Sequence, residues 1–86
     1  MSAAILAFVG WDTDAAIPGR HPDRVADDAL LHRVRAIIDR ADATWQGGES
    51  LQEWGRTLGR RIAADEPDVS GEAIGAIVAL LTYEWR

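Results

Sequence analysis

Few residues of this 86-residue chain could do chemistry, and their spacing limits what that chemistry could be. His21 and His32 are its two histidines, and it has no cysteine. His32 follows Asp28 by one helical turn, so on a helix the two would share a face and supply half of a metal site. Neither a second histidine nor a carboxylate pair stands at ligand spacing on that face, so the two read as an exposed i, i+4 contact and no metal is expected. Asp12-Thr13-Asp14 resembles the paired acids that hold a divalent ion. No glycine-rich phosphate cradle or nucleophile motif accompanies it, and acids are ordinary loop formers. Absence of cysteine and lysine removes the thiolate nucleophile and the Schiff base. Catalysis would rest on carboxylates alone, with no apolar cleft visible in the pattern to raise one of their pKa values. The expectation is a protein that is not an enzyme and has no cofactor.

Composition sets the broader class. A chain of this length forms one small domain, residues 1–86, which buries only about 60% of the surface its unfolded chain exposes. Its hydrophobic content of 48% is enough for a core despite a net charge of −5. All nine basic residues are arginine, and a sequence pI near 4.8 weighs against nucleic acid, whose binding needs cations on phosphate. The apolar start, residues 1–11, lacks the positive flank of a secretory signal, and Phe8-Val9-Gly10-Trp11 is a poor cleavage site, so a cytoplasmic location is expected. No membrane contact is expected either.

Three helices must position whatever site there is. Residues 3–11 are apolar and too short for periodicity to choose between a strand and two helical turns. After a loop ending at residue 21, Pro22 suits a first helical position, and Ala26, Leu30, Val34, Ile37, Ile38, Ala41 and Trp45 recur on one face. This predicts a helix over 22–45, ended by Gly47-Gly48. Ser50 with Glu53 forms a capping box that starts a second helix over 50–65, burying Leu51, Trp54, Leu58 and Ile62. Ser70 caps a third over 70–85, with Val69 and Ile74 placed as a hydrophobic staple. Residues 73–81 are aliphatic but for Gly75, so this helix should be enclosed at the centre of the fold. Gly55, Gly59 and Ala63 lie four apart on the second helix, and Gly71, Gly75 and Ala79 lie four apart on the third. Two such rows predict close antiparallel packing along small ridges. The expected architecture is an all-α, compact three-helix bundle with the apolar N-terminal segment packed across it.

Two short motifs resemble known families. His21-Pro22-Asp23 is similar to the loop tripeptide of the J domains that stimulate Hsp70-type chaperones. There a basic helix precedes the tripeptide, and here apolar and turn-like residues do, so no role is carried over. Trp45-Gln46-Gly47, between two helices, resembles the turn of the small secreted helical-hairpin proteins named for their Trp-x-Gly motif, which implies a secreted hairpin. The chain departs from that pattern at Pro67, which stops the second helix, and at Tyr83, which lacks an acid four residues beyond it.

The function expected from these features is a non-catalytic, acidic protein–protein interaction module, an adaptor or inhibitor, with self-association as a homodimer expected from its apolar content. Its alternative is an immunity or antitoxin-type protein neutralising a basic partner. The candidate contacts are two acidic clusters, Asp12, Asp14, Asp27 and Asp28 in one, Asp65, Glu66 and Asp68 in the other. A helix-turn-helix that reads DNA is excluded, because residues 73–81 offer no polar side chain to base edges.

Overall fold

In a computed structural model the described residues, 1–11, 18–44 and 50–85, hold four α-helices and no strand. They are α1 (Ser2–Val9), α2 (Asp28–Asp42), α3 (Leu51–Asp65) and α4 (Gly71–Trp85). The fold is therefore all-α, with one helix more than the three expected. Among the described residues no helix is long and apolar enough to cross a membrane.

The additional helix is α1. Eight residues cannot sustain a helix alone, so α1 depends on its neighbours, to which it gives Ile5, Phe8 and Val9. Its end is unusually complete. Gly10 takes the left-handed conformation (φ 82°), and its N–H reaches the Ala7 and Leu6 carbonyls while that of Trp11 reaches Leu6. This is the Schellman arrangement that glycine permits. The returning chain supplies the rest: Gly19 N–H donates to the Val9 carbonyl at 3.0 Å and His21 N–H to Phe8 at 2.7 Å. The imidazole of His21 then lies over both glycines, so close that a Cβ on Gly10 would fall 3.1 Å from the ring.

The helix expected over 22–45 is shorter than its periodicity suggests. Pro22–Arg24 is a single 3₁₀ turn with no side-chain cap, after which Val25 is extended and buried. The helix proper starts at Asp28, because the Asp27 carboxylate accepts from the N–H groups of Ala29 and Leu30. A carboxylate cap is a far better start than His21 offers. Ala26, counted on the apolar face, lies outside the helix and is exposed. Val34, Ile37, Ile38 and Ala41 are buried as the pattern requires. Trp45 and Gly47-Gly48 lie outside the described residues, as does the Trp-x-Gly motif.

The later helices start where their caps stand. Ser50 Oγ accepts from Glu53 N–H at 3.1 Å, and Ser70 Oγ from Ala73 N–H at 3.2 Å. Ser70 N–H in turn donates to Ser2 Oγ at 2.8 Å, joining the starts of α1 and α4. At the opposite end the Arg20 guanidinium holds Glu84 bidentately, both bonds 2.9 Å. The hydrogen bond to that carboxylate drives the Arg20 pKa further up, partial burial opposing it. Helices α1 and α4 are thus parallel neighbours, and α4 packs most extensively against α1 and α3. It is the central helix: Ala73, Ala76, Ile77, Leu80 and Leu81 have no exposed surface.

The surface totals 5106 Å², close to the roughly 5,000 Å² that a folded monomer of this mass exposes. Among the described residues only Trp11 and Tyr83 are large exposed hydrophobic side chains.

Candidate functional site

Helix α3 uses two faces against two neighbours, and the glycine rows explain one of them. A Cβ on Gly55 would lie 3.2 Å from Val78 Cγ1 and 3.5 Å from Thr82 Cγ2, and one on Gly59 3.9 Å from Ile74 Cγ2. The side chains of α4 thus sit over the glycines of α3, and the order of the contacts makes the two helices antiparallel. Thr82 turns its methyl toward Gly55 because its hydroxyl donates back to the Val78 carbonyl at 2.7 Å. The second row is not part of this seam. A Cβ on Gly71 or Gly75 would meet nothing within 4 Å, and Ala79 is half-buried; on the first row Ala63 is exposed, so that ridge packs at Gly55 and Gly59 only. The core claims the broad aliphatic face of α4, and burying that face turns Gly71 and Gly75 outward.

On its other face α3 runs antiparallel to α2, tied at both ends. Trp54, wholly buried, donates its indole N–H to Thr44 Oγ1 at 2.9 Å, and that hydroxyl donates to the Ala41 carbonyl at 2.7 Å. At the far end Arg33 reaches Glu66 at 3.1 Å and Asp68 at 3.5 Å. Between the ties the helices leave a cleft of ≈ 230 Å³. Ile37, Ala41, Leu58 and Ile62 form its floor, all buried core residues, and Ala36 and Thr44 complete the α2 wall. Three arginines, Arg33, Arg40 and Arg61, line it against two carboxylates, Asp65 and Glu66. Arg33 is spent on its ion pairs, whereas Arg40 and Arg61 have no ion-pair partner among the described residues. With Asp68 paired to Arg33, three arginines and three acids surround the cleft and their charges balance.

The acidic candidates are described in part. Asp12 and Asp14 lie outside the described residues. Asp27 is committed to capping α2, and Asp28 is exposed on its first turn. In the second cluster Glu66 and Asp68 are held by Arg33, and Asp65 faces the cleft. His21 is occupied in packing on Gly10 and Gly19, and His32 is exposed on α2. Among the described residues no group of three His, Cys, Asp or Glu converges as a metal site would require. Every buried side-chain polar atom among them has a partner.

The sequence pattern does not show the cleft, because it lies between two helices. A signal was present: Arg33, Ile37 and Arg40 follow at i, i+4 and i+7, so two cations border the apolar stripe, and Arg61 follows Leu58 at i+3. No family model, no curated protein and no solved structure matches the chain.

Proposed function

We propose that this chain is a non-catalytic protein–protein interaction module whose docking surface is the α2–α3 cleft. The observation that carries the reading is a cleft whose base is made of core residues at most 7% exposed. Ile37, Ala41, Leu58 and Ile62 form a floor bordered by charge, the arrangement of an apolar anchor pocket within a polar rim. Its volume is below the roughly 300–1,000 Å³ of drug-sized ligand sites, which suits one or two inserted side chains better than a whole small molecule. The immunity-type alternative, with a basic partner, needs free carboxylates on one face, and Asp27, Glu66 and Asp68 are engaged within the fold.

A photoreactive side chain at Ala36, on the cleft wall, tests the reading against the same group at Gly75, which faces open space. The Ala36 probe should capture a protein from host extract that the Gly75 probe does not. That protein, purified, should bind the unmodified chain and lose binding to Ala36→Trp, which plugs the cleft. Equal binding to Ala36→Trp would place the interaction elsewhere and overturn the proposal.

A further inference from the structure

We draw no further inference here: the strongest candidate, the shallow groove over the α3–α4 seam lined by Leu51, Gly55, Arg56, Val78 and Thr82, carries none because nothing in the structure shows what covers it.

Discussion

On its α4 side helix α3 presents Gly55 and Gly59, and Val78, Thr82 and Ile74 close over them; on its α2 side it presents Leu58, Arg61 and Ile62, and a cleft of ≈ 230 Å³ stays open. The same helix makes a closed seam and an open one because of what projects from each face. Glycine leaves room for a neighbour's side chains and carries no group that needs water. Arg40 and Arg61 must keep their charged ends solvated, and closing the α2–α3 seam would strand them without partners at a cost of several kcal/mol. Two hydrogen-bonded ends, Trp54 to Thr44 and Arg33 to Glu66, hold that seam at a fixed width without filling it.

The largest effect should come from removing the side chain at the head of the open seam. Trp54→Ala empties the largest buried site of the core and leaves the Thr44 hydroxyl without its indole donor. The expected cost is about 3–5 kcal/mol, comparable to the whole stability of a domain this small. Urea unfolding measures it, and a loss below about 1 kcal/mol would mean that Trp54 does not hold α2 to α3.

The comparison sharpens with leucine placed in each seam. Gly55→Leu enters a contact already at 3.2 Å and should destabilise by roughly 1–3 kcal/mol through overpacking. Ala36→Leu points into the open cleft and should change stability by less than about 0.5 kcal/mol. Equal costs for the two would erase the distinction between the seams. On the outer face of α4, Gly75→Ala meets nothing and should stabilise by up to about 1 kcal/mol, since alanine is the better helix former.

The smallest effect is electrostatic. Arg33→Ala removes the two ion pairs at the closed end, but the guanidinium is half exposed, so about 0–1 kcal/mol is expected. The difference should shrink further in high salt. A large, salt-independent loss would show that Arg33 holds the end of the cleft by packing of its aliphatic stem instead.

Local chemistry written in the chain decided much of this fold. Ser50 and Ser70 mark true helix starts because a hydroxyl satisfies a nearby N–H wherever the helix is packed. The aliphatic run on α4 marks the central helix because no solvent-facing arrangement suits it. Periodicity alone overran α2, since it counts apolar spacing and does not see that Asp27 outcompetes Pro22 as a start or that Val25 reaches the core in an extended conformation. It left α1 undecided, because eight residues become helical only through Gly10, Gly19 and His21 closing the helix end and α4 covering its face. The glycine rows look alike in sequence, yet only the one on α3 meets a neighbour, because spacing defines a ridge without saying which face the core will claim. The cleft belongs wholly to the tertiary structure. Arg40 and Arg61 lie 21 positions apart, and only antiparallel packing of α2 on α3 brings both beside one apolar floor.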